Sequence, residues 1–534
     1  MQTDVIIIGG GLAGLTAALE LLDQGLRVIL VDRNGPDRLG GLARWAMGGI
    51  FYVDSPFQRR AKIQDSPERA LRDWESYAEF EPGDILPRQW AEQYVHRCTA
   101  EVYGWLKPRG IRYIPSVQWV ERGLDRPGNS VPRFHVVWGT GWALVETLIR
   151  DLNRHPHRDH LTLLLNHQAL HLTRDGARVT GVQVRKLPEG EPFDLTAPVT
   201  IAAAGGITGD VNVVRQHWYP TWGPPPEHLL SGSHLSANGE IHRMAAHAGA
   251  RVTHLHKQWN YAAGVHHPDA DHPEHGLSLL PSRSALWVNA HGERIGPRPL
   301  VSGYDTRFLV EQVCRQPGQY SWQILNLKIA RKELAVSGSK YNDALREQRL
   351  LPFVRNLILG NDDLVQTLIH RCPDVVTAPD LDELARRMNV LTGQPHVDPA
   401  RLRQEVAAFD QQVLRGPEHP DADEQVRRIA DLRTYAGDRL RILQSQLIDD
   451  PAARPLMAIR EFVLVRKTLG GIQTDLRSRA LNDAGEPIPG LYAIGESAGF
   501  GGGGIHGLRA LEGTFLGNCI FTARAAARDI SGKS

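Results

Sequence analysis

The chain has 534 residues, of which 42% are apolar and 23% charged, and this composition is typical of a globular protein with room for two or three domains. The formal net charge is +1 and no basic run stands out, which argues against a nucleic-acid partner. The four cysteines are widely spaced and form neither a disulfide framework nor a zinc pattern. Met1 to Thr3 lead into the first apolar run without a signal-peptide pattern, and no apolar run reaches membrane-spanning length. We therefore expect a cytoplasmic protein with no integral membrane segment, and the composition leaves peripheral membrane docking open.

A dinucleotide-binding fingerprint stands at the start of the chain. Residues 4–8 form a short β-branched run that predicts a buried parallel strand, residues 15–22 predict a helix, and residues 27–31 predict a second strand. A Gly-x-Gly-x-x-Gly frame lies between the first strand and the helix, and an acid ends the second strand. The predicted nucleotide-binding residues of this part are Gly9, Gly11, Leu12, Ala13, Gly14, Asp32 and Arg33.

Each member of this frame has its own physical reason. Gly9 allows a tight turn, Gly11 lets the backbone approach a pyrophosphate, and Gly14 lets the helix pack on the strand. The helix N-terminus offers N–H groups and the positive end of a dipole to phosphates. Asp32 stands about 20 residues on, where a carboxylate accepts the ribose hydroxyls. The alternative is a glycine-rich turn in another α/β fold, but the full order of strand, glycines, helix, strand and acid favours dinucleotide binding.

Three later segments are also rich in glycine, which lets the backbone run close to a flat ligand. The first has a glycine pair at each end, at residues 40–41 and 48–49. The second is a predicted strand over 199–204 that ends in a glycine pair, and the third is a predicted strand over 489–494 that runs into Gly-Glu. Four glycines at 501–504 and a predicted helix over 512–527 follow. The further residues predicted to bind the cofactor are Gly40, Gly41, Leu42, Gly48, Gly49, Ala204, Gly205, Gly206, Gly495, Glu496, Thr514, Phe515 and Leu516.

The middle of the chain has a different composition. Residues 254–281 are rich in His, Pro and Asp and predict a loop, whereas residues 305–448 are charged and helical in period. The sequence therefore predicts an α/β fold in which a Rossmann-like domain, residues 1–250 and 452–534, is interrupted by an inserted α+β domain, residues 251–451. No second strand–glycine–helix unit is apparent, so we do not expect a dedicated NAD(P) domain.

The histidine-rich segment raises the question of a metal. Six histidines and three acids lie within residues 254–275: His254, His256, His266, His267, His272, His275, Asp269, Asp271 and Glu274. Imidazole and carboxylate groups are metal ligands. However, Pro268 and Pro273 interrupt the run, and no pair of histidines has convincing helical spacing. We therefore expect a solvated loop and no metal.

The order of these segments resembles the flavoprotein superfamily of fumarate reductase, succinate dehydrogenase and 3-ketosteroid dehydrogenases, and most of all its FAD-binding dehydrogenases similar to ketosteroid dehydrogenases. Residues 467–475, 487–492 and 501–517 carry the likeness, which covers most of the chain. The resemblance implies FAD as cofactor, an insert that caps the isoalloxazine, and Glu496 at the ribityl chain. It also implies that the helix from Thr514 directs its N-terminus at the flavin O2 edge, where a positive dipole end favours the reduced anion.

The same resemblance bears on how the flavin is held. The covalent link of some fumarate reductases needs a histidine just before the second glycine pair, and residues 42–47 contain none. We therefore predict non-covalent FAD.

Residues for the chemistry are suggested by the same likeness. His506 and Arg509 lie in the turn that resembles the flavin-proximal segment, where His506 could act as a general acid or base and Arg509 could bind a carbonyl or carboxylate. In the insert, Arg307 stands at a place comparable to the proton-relaying arginine of fumarate reductases, and Tyr261 and Tyr304 are candidate acids or bases for steroid chemistry. The alternatives are turn residues that only hold the backbone, a salt-bridged arginine and buried hydrogen-bonded tyrosines.

These expectations combine into a predicted activity. We expect an FAD-dependent dehydrogenase that acts on a hydrophobic, steroid-like ketone, with a base removing the α-proton and flavin N5 taking the β-hydride. One alternative is the reverse reaction of an enoate or fumarate-like reductase. Arg466 and Lys467 stand where fumarate reductases place a histidine, which argues against dicarboxylate reduction. A second alternative is a non-catalytic flavin-binding redox protein, and the electron acceptor and oligomeric state stay open.

Overall fold

The computed structural model describes residues 3–532. The chain divides into two compact units, the first made of residues 3–218, 233–259 and 466–532 and the second of residues 219–232 and 260–465. The first unit is therefore discontinuous in sequence. The domain boundaries at residues 250/251 and 451/452 stay a prediction.

A six-stranded sheet forms the centre of the first unit. Neighbouring strands are parallel, apart from an antiparallel pair at one edge. Strands buried on both faces read as continuous apolar runs, and all four residues of Val5–Ile8 are buried. In spatial order the strands are Arg479–Leu481, Pro487–Ala493, Val199–Ala202, Val5–Ile8, Val28–Asp32 and Leu161–Leu165.

The predicted strand, helix and strand at the start of the chain are confirmed. Helix Leu12–Leu22 connects Val5–Ile8 to Val28–Asp32, and the two strands pair in parallel with Val5 opposite Val28. Every residue of this helix except Glu20 is buried, because the helix lies between the sheet and the C-terminal helix Thr514–Ile530. A helix that is apolar on nearly all sides is stable only inside such a core.

Smaller sheets and further helices complete the first unit. The additional strands are Gly49–Phe51, Phe134–Val136, His167–Asp175, Arg178–Lys186, Pro192–Thr196, Val252–Thr253 and Gly471–Ile472. The other α-helices are Leu42–Trp45, Pro56–Arg60, Pro67–Ala78, Ile85–Cys98, Gly104–Leu106, Thr140–Asn153, Val211–Gln216 and Glu240–His247, with a π-helix at Thr99–Tyr103.

The second unit contains an eight-stranded sheet around the long strand Leu456–Thr468. Its other strands are Leu230–Ser231, Gln258–His266, Gly276–Leu280, Leu286–Val288, Tyr320–Asn326, Ala335–Val336 and Val375–Ala378. Its α-helices are Thr306–Cys314, Leu327–Glu333, Asp343–Arg346, Leu350–Leu359, Asp362–Arg371, Leu381–Thr392, Pro399–Arg415, Glu424–Thr434 and Ala436–Arg439. The helical period of residues 305–448 is thus borne out, with three short strands among the helices.

The prediction of a loop over residues 254–281 is wrong for half of its length. Gln258–His266 and Gly276–Leu280 are antiparallel strands, with Gly264 opposite Ser278. Trp259 and Val265 are buried, so apolar residues between the histidines supply the strand signal that the polar composition concealed. Within residues 3–532, none of the helices is long and apolar enough to cross a membrane.

Candidate cofactor and active site

Four of the predicted cofactor segments lie at the ends of neighbouring parallel strands. They are Gly9 after Val5–Ile8, Asp32 at the end of Val28–Asp32, Ala204–Gly206 after Val199–Ala202, and Gly495–Glu496 after Pro487–Ala493. Because the carboxyl ends of parallel strands meet at one edge of a sheet, residues from four distant parts of the chain lie together. Nucleotides bind at this edge in open α/β sheets.

The three glycines of the fingerprint have different surroundings. Gly9 has φ +111°, and a Cβ there would lie 2.4 Å from the carbonyl oxygen of Ala203. A Cβ on Gly14 would lie 2.0 Å from the carbonyl oxygen of Gly9, so helix and strand can approach only with glycine there. At Gly11, in contrast, a Cβ would meet no heavy atom of residues 3–532 within 4 Å. The loop therefore has no room for a side chain at Gly9 or Gly14 but has free space at Gly11, which fits a pyrophosphate bound beside Gly11.

The helix after this loop begins without a capping side chain among the described residues. Its N-cap is Gly11, and its first turn contains no acid. The first amide groups of Leu12–Leu22 thus keep their hydrogen-bonding capacity for a ligand. Gly40 pairs with Gly11 in an isolated parallel bridge, which brings the first glycine pair to the same place.

Asp32 is held by hydrogen bonds on both carboxylate oxygens. The amide of Gly10 donates to Oδ2 over 2.7 Å, and the amide of Asn34 donates to Oδ1 over 2.8 Å. The neighbouring Arg33 pairs with Glu240 over 3.3 Å. Each carboxylate oxygen has further lone pairs, so Asp32 can accept ribose hydroxyls while it stays bound to the glycine loop.

Glu496 reaches back to the segment before the Gly470–Gly471 pair. The amide of Thr468 donates to its Oε1 over 2.8 Å, and a Cβ on Gly206 would lie 2.5 Å from the same oxygen. Burial raises the pKa of Glu496 to about 7, against the opposing effects of the Thr468 amide and the Lys467 cation. This carboxyl therefore titrates in the neutral range.

The C-terminal helix begins beside the second glycine pair. Its N-cap Gly513 has φ +96°, and the amide of Phe51 donates to the Gly513 carbonyl over 2.9 Å. Phe51 ends the strand Gly49–Phe51, so Gly49 and Thr514 belong to adjoining segments. The first turn of Thr514–Ile530 carries no acid, and Glu512 stands directly before the N-cap.

His506 is fully buried in an aromatic cluster. Its ring stacks on Trp74 with centroids 5.9 Å apart and lies 4.8 Å from the ring of Phe515. The hydroxyl of Thr514 donates to the carbonyl of Leu511, so His506 Nε2 donates to that hydroxyl over 2.8 Å. Burial lowers the pKa of His506 well below its usual value. A neutral, buried imidazole can hold the Thr514 hydroxyl in place, and the catalytic role of His506 stays a prediction.

Arg509 is bound to a carboxylate. Its guanidinium pairs with Glu79, which also pairs with Arg126 over 3.1 Å. The preceding Leu508 donates its amide to the carbonyl of Ala78 over 2.6 Å. The turn is thus fastened to the end of helix Pro67–Ala78, which matches the alternative in which its residues hold the backbone.

Sequence reasoning missed a polar group at the start of the C-terminal helix. The ammonium of Lys467 lies 3.9 Å from the ring centroid of Phe515 and 3.9 Å from Oε1 of Glu512. The indole of Trp259 donates to the same Glu512 oxygen over 2.8 Å. Burial lowers the pKa of Lys467 to about 8. The only sign of this group in the sequence was a lysine directly before residues 468–471, but the residues that contact it lie far away along the chain.

The predicted residues of the insert lie in the second unit. The guanidinium of Arg307 stands over the rings of Tyr219 and Trp222, at 4.2 Å and 4.5 Å from their centroids. Tyr304 donates to Oδ2 of Asp431 over 2.7 Å and is buried. Tyr261 packs half-buried against the cluster of Leu230, Phe462 and Leu464. Tyr304 matches the alternative of a buried hydrogen-bonded tyrosine, and the catalytic roles of all three stay predictions.

Comparison with known proteins supports the interpretation of the glycine-rich segments of the first unit as a dinucleotide-binding site. The family model of the FAD binding domain matches residues 4–516. The chain is 42% identical over 547 aligned positions to a KsdD-like steroid dehydrogenase of Mycobacterium tuberculosis, with 99% of this chain and 95% of the relative covered. A 3-ketosteroid Δ1-dehydrogenase from Sterolibacterium denitrificans superimposes with a TM-score of 0.69 at 18% identity over the whole of both chains. A flavocytochrome c3 fumarate reductase gives 0.68 at 20% identity, covering all of this chain and 78% of the other. These two structures share the fold with this chain.

Proposed function

The chain belongs to the FAD binding domain family, and on that premise we propose that it dehydrogenates a C–C bond next to the carbonyl of a hydrophobic, steroid-like substrate. The observation that carries the proposal is the 42% identity, over nearly the full length of both chains, to a KsdD-like steroid dehydrogenase. Lys467 supports the proposal, because it stands directly before Thr468, where the resemblance would place the histidine of fumarate reductases.

The residues of the first unit fit FAD. The open face of Gly11 and the uncapped start of Leu12–Leu22 would hold the pyrophosphate, and Asp32 would hold the adenosine ribose. Glu496 would accept hydroxyl groups of the ribityl chain, and the start of Thr514–Ile530 would face the ring system. Bound FAD accepts a hydride, which is two electrons and one proton, while the protein supplies binding, orientation and electrostatics.

The protein side of the reaction needs positive charge and a base. Lys467 and the N-terminus of Thr514–Ile530 provide positive charge at one place, which stabilises negative charge on a ligand bound there. Glu512 keeps the ammonium in position and is itself fixed by Trp259. The residues to test for removal of the α-proton and for binding of the carbonyl are Tyr261, Tyr304 and Arg307 of the second unit, followed by His506 and Arg509.

The test is anaerobic mixing of the purified flavoprotein with a panel of 3-ketosteroids, simple enoates and fumarate. We expect a ketosteroid to bleach the flavin and to yield a product that has lost two hydrogens. Reoxidation of chemically reduced protein by an enoate, without bleaching by any ketosteroid, would instead favour the reductase. No response to either class would favour a non-catalytic flavoprotein.

We also propose a cytoplasmic location, supported by four cysteines that are too widely spaced for a disulfide framework. Fractionation of the producing cells, followed by immunoblotting, tests this, and recovery in an extracytoplasmic fraction would contradict it.

A further inference from the structure

Two histidines and a glutamate come together in the first unit, apart from the predicted cofactor segments. His254 and His256 lie in a tight turn that is closed by a hydrogen bond from the Lys257 amide to the His254 carbonyl over 2.8 Å. Their ring centroids are 6.0 Å apart. One ligand atom from each of Glu81, His254 and His256 lies within 4.8 Å of the other two.

The orientation of His254 is fixed by a buried carboxylate. Its Nε2 lies 2.8 Å from Oδ1 of Asp84, whose side chain is 5% exposed. A carboxylate accepts hydrogen bonds, so Nε2 carries the hydrogen and the lone pair is on Nδ1. Metal-binding histidines almost always donate their second ring N–H to a carboxylate, a backbone carbonyl or a water in this way. Asp84 thereby gives His254 the tautomer that a metal ligand needs.

The charges around the turn leave an excess of negative charge. Lys257 lies 2.7 Å from Oε1 of Glu81 and 3.5 Å from Oδ2 of Asp84. One ammonium thus faces two carboxylates, so the charges of Lys257, Glu81 and Asp84 sum to −1. The net charge of −1 favours a cation, and Lys257 occupies only one of the two Glu81 oxygens.

We propose that Glu81, His254 and His256 bind a single Zn²⁺ ion, with water completing the coordination. Two imidazoles and one carboxylate form a donor set that zinc uses where it keeps one position for water. Ligands about 2.0–2.1 Å from a tetrahedral zinc lie roughly 3.4 Å apart. Rotation of the Glu81 side chain, which is 54% exposed, together with small movements of the two imidazoles would bring the ligand atoms to this spacing.

The position of the site indicates that a bound ion would join two segments of the chain. A Cβ on Gly504 would lie 3.2 Å from Cδ2 of His254, so His254 packs on the glycine-rich turn. Asp84 is the N-cap of helix Ile85–Cys98. Zinc would therefore tie the loop before this helix to the turn that supports residues 501–504. The site is independent of the proposed activity.

The experiment is calorimetric titration of ZnCl₂ into the holoprotein after treatment with a chelator and dialysis. We expect one Zn²⁺ per chain with micromolar or tighter affinity. His256→Ala should raise the dissociation constant at least 100-fold, whereas His247→Ala, which changes an exposed histidine of the same unit, should leave it unchanged. Co²⁺ should give the visible absorption of a tetrahedral site in the wild type and in His247→Ala but not in His256→Ala.

Two further variants should shift the affinity in opposite directions. Asp84→Asn removes the carboxylate that orients His254 and should weaken zinc binding 10- to 100-fold. Lys257→Met removes the competing ammonium and should tighten it about 10-fold by the Coulomb interaction alone. Melting curves and circular dichroism show which variants are folded. Absence of saturable zinc binding in the wild type, or equal affinities for His256→Ala and His247→Ala, would overturn the proposal.

Discussion

The amide of Thr468 donates a hydrogen bond to Oε1 of Glu496 over 2.8 Å, which joins two segments that both border the proposed flavin site. A Cβ on Gly206 would lie 2.5 Å from the same Glu496 oxygen, so the glycine pair after strand Val199–Ala202 packs closely against Glu496. A single carboxylate thus connects the ends of two parallel strands with the Thr468–Gly471 step. The Thr468 amide occupies Oε1 of Glu496 and leaves Oε2 available to a ligand.

Replacement of Glu496 by alanine should weaken FAD binding. Ribityl hydroxyls and the Thr468 amide would lose their acceptor, which costs about 1–3 kcal/mol for buried groups. Titration of the apoprotein with FAD, followed by the quenching of flavin fluorescence, measures this loss. Glu486→Ala, at an exposed position of the same unit, is the matched control and should bind FAD like the wild type. Equal dissociation constants for both variants would place the ribityl chain elsewhere.

A bulky residue at Gly11 should abolish FAD retention without unfolding the protein. A Cβ at Gly11 meets nothing in residues 3–532 within 4 Å, so Gly11→Leu leaves the fold intact and fills the space proposed for the pyrophosphate. Gly83 also has open space around its Cβ position and serves as the control. The flavin content of purified Gly11→Leu and Gly83→Leu, together with their melting temperatures, tests this. Full flavin occupancy in folded Gly11→Leu would contradict the assignment.

Denaturation should release the flavin, since Leu42–Trp45 and the residues up to Gly48 contain no histidine for a covalent bond. Precipitation of the yellow protein with acid should leave the flavin in the supernatant, where it can be measured by absorbance. Flavin that stays in the washed pellet would show a covalent attachment through another residue.

The sequence predicts well those features that depend on local pattern. The glycine spacing at Gly9–Gly14 and the β-branched run before it identify the first strand and its loop, because both follow from backbone geometry within a few residues. Contacts between distant segments give no such signal. Lys467 meets Glu512, and Glu512 meets Trp259, only after the fold has formed. For the same reason the sequence does not show that His506 packs between Trp74 and Phe515, and its role as an acid or base stays a prediction.

Replacement of Glu461 by glutamine should stabilise the protein at alkaline pH. Glu461 is fully buried in the second unit, and neither carboxyl oxygen has a hydrogen-bond partner among residues 3–532. The side chain of Ser321, which lies opposite Glu461 on the neighbouring strand, is also buried, and its hydroxyl has no hydrogen-bond partner among residues 3–532. Burial raises the pKa of Glu461 well above its usual value. The folded state therefore keeps its proton while the unfolded state loses it above pH of about 4.3.

This difference sets the sign of the pH effect. A raised pKa contributes stability that is fully present below the unfolded pKa and decreases as pH rises, by about 1.4 kcal/mol per pH unit for one proton. Glu461→Gln lacks this loss, so its free energy of unfolding should exceed that of the wild type by more at pH 8 than at pH 5. Urea unfolding at both pH values measures it, with the exposed Glu418→Gln as control. A difference that does not change with pH would mean that Glu461 is ionised in the folded protein.

Removal of the Lys467 charge should lower the midpoint potential of the bound flavin. Its ammonium lies over Phe515 in the first turn of Thr514–Ile530, where it adds to the positive end of the helix dipole. Positive charge there stabilises reduced, negatively charged flavin more than oxidised flavin. If Lys467→Met weakens this preference tenfold, the potential falls by about 30 mV for a two-electron couple.

The midpoint potentials are measured by equilibration with redox dyes, and FAD affinity is measured alongside. Lys467→Arg should restore the potential, and Lys62→Met, at an exposed position of the same unit, should not change it. Because burial lowers the pKa of Lys467 to about 8, the gap between wild type and Lys467→Met should shrink as pH rises through 8. A gap that is absent at pH 7, or equally large in Lys62→Met, would remove Lys467 from the flavin environment.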